Sequence, residues 1–211
     1  MQVMIITYFG KQFFKITQGD TVLALNPVGK NSKSDISTRF GADLALVSVN
    51  HPDYNGVEQL SHGERMPFVI DGPGNYEVKE IFIQGAVSDV LIEGKKYINT
   101  VYSFAVDSIN IVFLGVLGNS EISKEARELS ESPDILFVSV GGKNTLDAKN
   151  AAKLSASLEA KIIIPMDYDE NSIKTFLKEM GDEKAEIVDK LTIKKKDLEG
   201  NEGKVLVIKP L

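Results

Sequence analysis

The sequence has no cysteine and no tryptophan, and only two histidines among its 211 residues. The lack of cysteine excludes disulfides, thiol nucleophiles and cysteine-ligated zinc, and it fits a reducing cytoplasm, where we expect the protein to reside. Long apolar runs are missing as well. The richest, residues 109–117, contains Asn110 and Gly115 and is too short to span a bilayer. Residues 1–7 lack a basic start and a small-residue cleavage site, so they predict a first strand and not a signal peptide.

Positive charge is in the minority, with 24 Lys and Arg against 30 Asp and Glu and a net charge of −6. This balance makes nucleic acid a poor partner, because a phosphate backbone attracts basic surfaces. The composition, 43% apolar and 26% charged, is typical of a globular protein. A chain of this length can bury one sizeable core, so we expect a single domain over residues 1–211.

The hydrophobic pattern changes along the chain from strand-like to alternating strand and helix. Strands are predicted at residues 3–7, 13–17, 21–25, 44–48, 68–70, 81–86, 100–106, 109–114, 135–140 and 161–165. Helices are predicted at residues 55–60, 120–130, 145–159 and 171–180, with Thr145 as the N-cap of the third. Residues 191–193 and 205–208 predict a terminal hairpin. This order favours helices that cover paired sheets.

Four segments carry a resemblance to a known family. They are V-N-H-P-D-Y at 49–54, F-V-I-D-G-P-G-N-Y-E-V at 68–78, V-G-G-K-N-T-L-D-A-K at 140–149 and I-I-P-M at 163–166. With the order of elements, they resemble the metallo-β-lactamase superfamily, most closely the metal-dependent hydrolases related to ascorbate-6-phosphate lactonase. The resemblance covers essentially the whole chain. It implies an α/β (α+β) fold, an αββα sandwich of two mixed β-sheets flanked by helices, with a metal site at one edge.

The resemblance also implies a zinc-activated water, but the residues that would bind the zinc have changed. The family's H-x-H-x-D-H motif keeps His51 and Asp53, whereas Val49 and Tyr54 stand at its first and last histidine positions. The family's bridging aspartate corresponds to Val116, and its final histidine to Asp167. A hydrolytic zinc site usually needs three protein ligands, and valine cannot bind a metal, so we expect zinc to be absent.

Two other positions of the implied site suggest how it is neutralised without a metal. Lys11 stands at the histidine of the family's N-terminal Gly-His, and Asn26 stands where an aspartate ends the third strand. A buried unpaired carboxylate is costly. We therefore predict that the Lys11 ammonium replaces the metal beside Asp53 and Asp167, with hydrogen-bond partners among His51, Tyr54 and Asn26. In the alternative, Lys11 extends into solvent and the carboxylates are hydrated.

Other interpretations stay open at this point. His51, Asp53 and Asp167 offer one imidazole and two carboxylates, a set that also suits weak binding of iron, magnesium or manganese. Gly141 and Gly142 before a helix start could cradle a phosphate, although an ordinary capped turn is favoured. Residues 194–196, three lysines, fit a solvated strand edge better than an anion site.

The sequence thus favours a non-catalytic protein of metallo-β-lactamase fold that binds or scaffolds an unknown small molecule or protein. No nucleic acid or membrane partner is expected, and a homo-oligomer is open. The alternatives are a metal-dependent hydrolase with an altered mononuclear site and a metal-free binder of small molecules. No catalytic residue is assigned. The residues of the implied cleft are His51, Asp53, Tyr54, Asp167 and Lys11.

Overall fold

A computed structural model describes residues 2–64 and 66–211. The strands are β1 (Met4–Tyr8), β2 (Phe14–Gln18), β3 (Thr21–Leu25), β4 (Leu44–Leu46), β5 (Phe68–Ile70), β6 (Gly74–Val78), β7 (Ile81–Ile92), β8 (Lys95–Val106), β9 (Ile109–Phe113), β10 (Ile135–Ser139), β11 (Ile162–Met166), β12 (Glu186–Val188), β13 (Leu191–Ile193) and β14 (Lys204–Ile208). The α-helices are α1 (Lys124–Leu129), α2 (Ala148–Ser157) and α3 (Glu170–Glu179), and 3₁₀ turns cover Val57–Gln59 and Lys195–Leu198.

These strands form two mixed sheets. One has six strands in the order β13-β1-β2-β3-β4-β5, and the other has eight in the order β12-β14-β11-β10-β9-β8-β7-β6. In β1 and β2 every second residue is buried, as expected for strands with one face toward the core. Strands β10 and β11 are buried at every position, as is usual for parallel strands covered on both faces.

The main core lies between the sheets and contains aromatic side chains from both. Phe14 of the six-stranded sheet meets Phe137 of the eight-stranded sheet edge-on, with 4.8 Å between ring centroids. Tyr8 stacks on Phe14 at 4.4 Å, and Phe113 lies 6.0 Å from Phe137. Such pairs stabilise beyond the area they bury, so the two sheets are fixed face to face.

The outer faces of the two sheets are covered differently. The helices lie on the eight-stranded sheet, where Ala151 and Leu154 of α2 and Phe176 of α3 join Leu136 and Val138 of β10 in one apolar cluster. The six-stranded sheet is covered by the loop 26–43 and the 3₁₀ turn at 57–59, which form a smaller cluster around Phe13 and Phe40. The sandwich of two mixed sheets expected from the sequence is confirmed, as is the packing of α2 against β10, while a loop and a 3₁₀ turn stand where the sequence led us to expect a helical layer over the six-stranded sheet.

Two predictions about local secondary structure were wrong. Helix α2 begins after Asp147, whose Oδ1 accepts from the N–H groups of Lys149 and Asn150 at 3.0 Å each, and not after Thr145. Thr145 is instead buried in the turn before the helix. Asp147 is the better cap here because its carboxylate satisfies two free amides at the positive end of the helix dipole.

The predicted terminal hairpin is also absent, because β13 and β14 belong to different sheets. Strand β13 pairs with β1 through Met4 and Ile193, whereas β14 pairs in parallel with β11 and β12. The 3₁₀ turn Lys195–Leu198 carries the chain from one sheet to the other. The burial patterns give the reason: β13 buries one face, and β14 is covered on both.

None of the α-helices in the described part of the chain has the length and apolar content needed to cross a membrane.

Asp134 is a buried carboxylate on which we base a prediction of acid stability. It accepts from Lys161 Nζ at 2.8 Å, from Lys195 Nζ at 2.5 Å and from the Asn110 N–H at 2.8 Å. Lys195 is therefore an internal ion-pair partner, where a solvated lysine face had been predicted. Burial alone would raise the pKa of Asp134, but these hydrogen bonds outweigh burial and lower the pKa below its usual range.

Because the folded-state pKa is lowered, Asp134 stabilises the fold above its unfolded pKa of about 3.9 and loses this effect as pH falls through the folded value. We expect Asp134→Asn to destabilise by about 2 kcal/mol at pH 7. The difference between wild type and variant should shrink below about pH 3.5. Urea unfolding of wild type and variant at pH 7 and below about pH 3.5 measures this difference in stability. A difference that does not change with pH would contradict the assignment.

Candidate functional site

The loops that follow β1, β3, β4, β9 and β11 meet at one edge of the sandwich. Among these loops lie all five residues of the cleft implied by the sequence: Lys11, His51, Asp53, Tyr54 and Asp167. Backbone hydrogen bonds tie the loops together. The Asp167 N–H donates to Lys11 O at 2.7 Å, and the Asn26 N–H donates to Leu46 O at 2.9 Å. We call Lys11, Ser32, His51, Asp53 and Asp167 the polar cleft.

Lys11 and Asp53 form an ion pair at the centre of the polar cleft. Lys11 Nζ lies 2.8 Å from Asp53 Oδ2, and the two side chains are 26% and 23% exposed. The other oxygen, Oδ1, accepts from Ser32 Oγ at 2.5 Å. Burial would raise the pKa of Asp53, but the hydrogen bonds from Lys11 and Ser32 and the Lys11 charge lower it below the usual value. The expected pairing of Lys11 with a cleft carboxylate is therefore present, and Ser32 is a partner that the sequence did not reveal.

The backbone of Lys11 is held as firmly as its side chain. Its φ of 51° lies in the left-handed region, which non-glycine residues adopt only where their surroundings impose it. The carbonyl oxygen of Lys11 accepts from the Tyr8 hydroxyl at 2.7 Å as well as from the Asp167 N–H. These contacts fix the loop so that the ammonium points toward Asp53.

Asp167 is the second carboxylate of the polar cleft. Burial raises its pKa, and the negative charge of Asp53 raises it further, while the Lys11 charge and hydrogen bonds with Gln12 and Tyr54 act in the opposite direction. Burial and the two carboxylates in turn raise the pKa of the Tyr54 hydroxyl, which therefore stays protonated beside Asp167. Lys11 thus pairs with Asp53, and its charge also acts on Asp167.

His51 uses one of its ring nitrogens within its own loop. Its Nδ1 accepts from the Asp53 N–H at 3.2 Å, and its ring lies edge-on to Tyr97 at 5.6 Å. Across residues 2–64 and 66–211, no group of three or more His, Asp and Glu side chains has the arrangement of a metal site. His51, Asp53 and Asp167 share the same edge but do not form such a group.

An apolar cluster lies beside the polar cleft. Val49, Tyr54, Val90, Ile92 and Val116 are each at most 3% exposed and pack together, with Tyr97 against them. We call these five residues the apolar plug. Val49, Tyr54 and Val116 stand at three of the positions at which the resemblance places metal ligands. The hairpin of β7 and β8 covers these side chains, and Val90 and Ile92 of β7 pack against them.

A chain of neutral polar side chains runs beneath the cleft. Asn26 Nδ2 donates to Gln12 Oε1 and to Ser48 Oγ, both at 2.8 Å, and Gln12 Nε2 donates to Ser139 Oγ at 2.7 Å. All four residues are at most 2% exposed. Sequence reasoning identified Asn26 alone. These side chains use their donors and acceptors mainly on one another, so few oxygen lone pairs remain for a cation.

The donors at this edge do not fit a hydrolytic zinc ion. Such a site needs three protein ligands and an open position for water. Here both oxygens of Asp53 accept hydrogen bonds, from Lys11 and Ser32, and His51 Nδ1 accepts one from the backbone. The residues of the apolar plug are valine, isoleucine and tyrosine, and the aliphatic side chains among them cannot bind a metal. A zinc ion would also have to displace the Lys11 ammonium.

Two further features, the second histidine and the turn before α2, lie away from this edge. His62 is exposed in an isolated bridge. The turn at residues 141–142 reaches the N-terminus of α2, but the amides there are already capped by Asp147. An ordinary capped turn accounts for this segment, in agreement with the interpretation that the sequence favoured over a phosphate cradle.

Two facing mixed sheets, with loops meeting at one edge, place the protein in the class with the metallo-β-lactamase fold. More particularly, the chain belongs to the family described as the beta-lactamase superfamily domain, whose model matches residues 5–167. A metal-dependent hydrolase of the UPF0173 group from Listeria monocytogenes is 26% identical over 196 residues, covering 78% of this chain and 85% of the relative. One from Hyperthermus butylicus is also 26% identical, covering 77% and 82%.

Solved structures agree with this family. A crystal structure from Thermotoga maritima, assigned as a zinc-dependent hydrolase of the metallo-β-lactamase superfamily, superposes with a TM-score of 0.76 at 27% identity and covers 97% of this chain and 98% of its own. The metallo hydrolase Igni18 from Ignicoccus hospitalis gives a TM-score of 0.65 at 17% identity, covering 99% and 96%. At that identity the likeness concerns the fold alone.

Proposed function

We propose that this protein is a non-catalytic member of its family of metal-dependent hydrolases, and that it acts by binding. The observation that carries the proposal is the ion pair between Lys11 and Asp53. An ammonium held at 2.8 Å from a carboxylate supplies the positive charge that a cation would otherwise bring to the cleft.

The apolar plug supports the same proposal from the other side of the site. Hydrolysis by a bound hydroxide needs a space that admits water beside the metal. Val49, Val90 and Val116 fill the corresponding volume with buried hydrocarbon, and Tyr54 adds an aromatic ring. A water held there would lack the two to four polar partners that a buried water requires.

The second candidate is a hydrolase with an altered mononuclear site around His51, Asp53 and Asp167. The observation in its favour is the second carboxylate, Asp167, which is buried at the same edge and is affected by the charges of both Lys11 and Asp53. A divalent cation with oxygen ligands could replace Lys11 there if the lysine moved out. This candidate differs from the first in requiring bound metal.

Metal content separates the two candidates. We expect the purified protein to carry well under one equivalent of zinc, iron or manganese after dialysis, and its melting temperature to stay unchanged with a chelator, because Lys11 already occupies the cleft. Elemental analysis and thermal unfolding with and without the chelator measure this. The control is the His51→Ala variant. A full equivalent of metal in wild type that is lost in this variant would establish the hydrolase instead.

A further inference from the structure

The hairpin of β7 and β8 leaves part of a strand without a neighbour. Strand β6 pairs with β7 only as far as Gly85, whereas β7 continues to Ile92, paired with β8 on its other side. Beyond Gly85 the outer edge of β7 has no partner strand among the described residues. An uncovered strand edge presents backbone N–H and C=O groups that can pair with another strand.

The direction of these backbone groups follows from one contact. Val87 O accepts from Ser123 Oγ at 3.3 Å, so it points away from β8. The pairing of β7 with β8 is continuous from Ile83 to Ile92, and successive residues of a paired strand point to opposite sides. The N–H and C=O groups of Asp89 and Leu91 therefore point to the same side as Val87 O, into the open edge.

This edge borders a cavity of about 990 Å³. Residues 87–91 form one wall, and the opposite wall comes from residues 118–125 and from the loop 142–145. Five residues of strand rise about 17 Å, so residues 87–91 match a partner segment of about five residues. We call this cavity, with the free edge of β7, the edge groove.

The side chains at the edge groove suit an extended peptide. Val87, Leu91 and Ile98 are 43%, 63% and 59% exposed, and they form an apolar surface beside the free backbone groups. The cavity lining also holds two exposed glutamates, Glu121 and Glu125, against one exposed lysine, Lys143, and none of the three makes an ion pair within the described ranges. Apolar side chains at alternate positions of a peptide, with a basic residue next to them, would complement both features.

A single strand fits this groove better than a second copy of the chain. In a symmetric pairing of two β7 edges centred on Asp89, the two Asp89 carboxylates would lie opposite each other, which is unfavourable. The wall formed by residues 118–125 and 142–145 would also stand in the way of a whole second sheet.

We propose that the edge groove binds a short extended peptide segment of a partner protein, which adds as a strand to the free edge of β7 at Asp89 and Leu91. This inference names a partner class for the binding role and rests on a surface outside the polar cleft. It does not depend on whether the cleft holds a metal. Metal analysis can therefore contradict the proposed function, and peptide binding can contradict the edge groove, each without deciding the other.

The test uses a pool of fluorescein-labelled, amidated heptapeptides K-X-T-X-T-X-K, in which X is Val, Ile or Leu, measured by fluorescence anisotropy. We expect saturable binding to wild type. Methylating the backbone nitrogens of alternate residues removes the donors for one strand edge and should weaken binding at least tenfold. Replacing the terminal lysines by glutamates should weaken it about threefold or more, because of Glu121 and Glu125.

Two substitutions at one position provide the matched control on the protein. Asp89→Pro removes the edge N–H without removing a bond to β8, and proline is tolerated at strand edges. Asp89→Ala keeps the N–H but loses the ion pair with Lys96, which is 2.7 Å away. We expect Asp89→Ala to bind within about threefold of wild type and Asp89→Pro to bind at least tenfold more weakly.

The methylated peptides keep the test decisive if Asp89→Pro does not fold, since they need only the wild-type protein. Equal binding of methylated and unmethylated peptides would overturn strand addition. So would the absence of saturable binding by the pool at 1 mM peptide, or equal affinity of the folded Asp89→Pro and Asp89→Ala variants.

Discussion

The Lys11→Met variant should unfold about 2–3 kcal/mol more easily than wild type, which corresponds to a fall in melting temperature of roughly 5–10 °C. Methionine keeps most of the length of the lysine side chain but leaves Asp53 without its cation. Removing one partner of a buried pair costs about 3–5 kcal/mol. We expect less here because both side chains are about a quarter exposed and Ser32 still donates to Asp53.

Two controls separate the ion pair from a general effect of losing a lysine. Lys33→Met removes an exposed pair with Glu93 and should change stability by less than about 0.5 kcal/mol. Combining Lys11→Met with Asp53→Asn removes the stranded charge, so the double variant should be more stable than the sum of the single effects. Additive single effects, or an unchanged melting temperature in Lys11→Met, would contradict a structural role for the pair.

The Val116→Asp variant should lose about 4 kcal/mol or more of stability, and this is the largest effect that we expect. Val116 is fully buried in the apolar plug against hydrocarbon from Val49, Val90 and Ile92. A carboxylate there would be ionised at neutral pH in unfolded protein and would have to be desolvated or protonated on folding. Chemical unfolding of the purified variant, or its failure to accumulate as soluble protein, reports the effect.

Val116→Ala is the matched control because it removes volume without adding charge. It should cost about 2 kcal/mol, from lost burial and the remaining cavity. The variants should differ more at pH 8 than at pH 5, since protonation relieves the cost of the buried carboxylate. If Val116→Asp were as stable as Val116→Ala at pH 8, the plug would be open to solvent. This result would contradict the proposal that the plug fills the space needed for hydrolysis.

The sequence predicted those parts of the fold whose strands bury a regular pattern. Strands β3 and β5 have the predicted bounds, and β4 lies at the start of its predicted segment. Strand β6 was not predicted, and neither were the halves of β7 and β8 that adjoin the turn between them. Strand β6 is mostly exposed at the sheet edge, so its residues show no buried periodicity. In the long hairpin, polar residues such as Ser88 and Asn99 interrupt the apolar pattern.

The candidate site was predictable where a motif fixed the spacing and unpredictable where distant loops supply the partner. The V-N-H-P-D-Y segment places His51 and Asp53 in one loop, and Lys11 was found through the family's N-terminal Gly-His position. Ser32 and Gln12 have no such signal. Ser32 lies in the loop before β4 and reaches Asp53, and Gln12 reaches Ser139 from 127 positions away. Only the folded chain brings these groups together.

The pairing of β1 with β13 has a consequence for how the chain is made. Strand β1 leaves the ribosome well before one of its two neighbours in the sheet, Leu191–Ile193, is synthesised. Until then Met4, Ile5 and Ile6 present an apolar strand with one open edge to the crowded cell. Pairings so distant in sequence carry a large loop-closure cost and fold slowly. The six-stranded sheet is therefore completed only after residues 191–193 have been synthesised, and a nascent chain stalled before residue 191 would expose this edge to other chains.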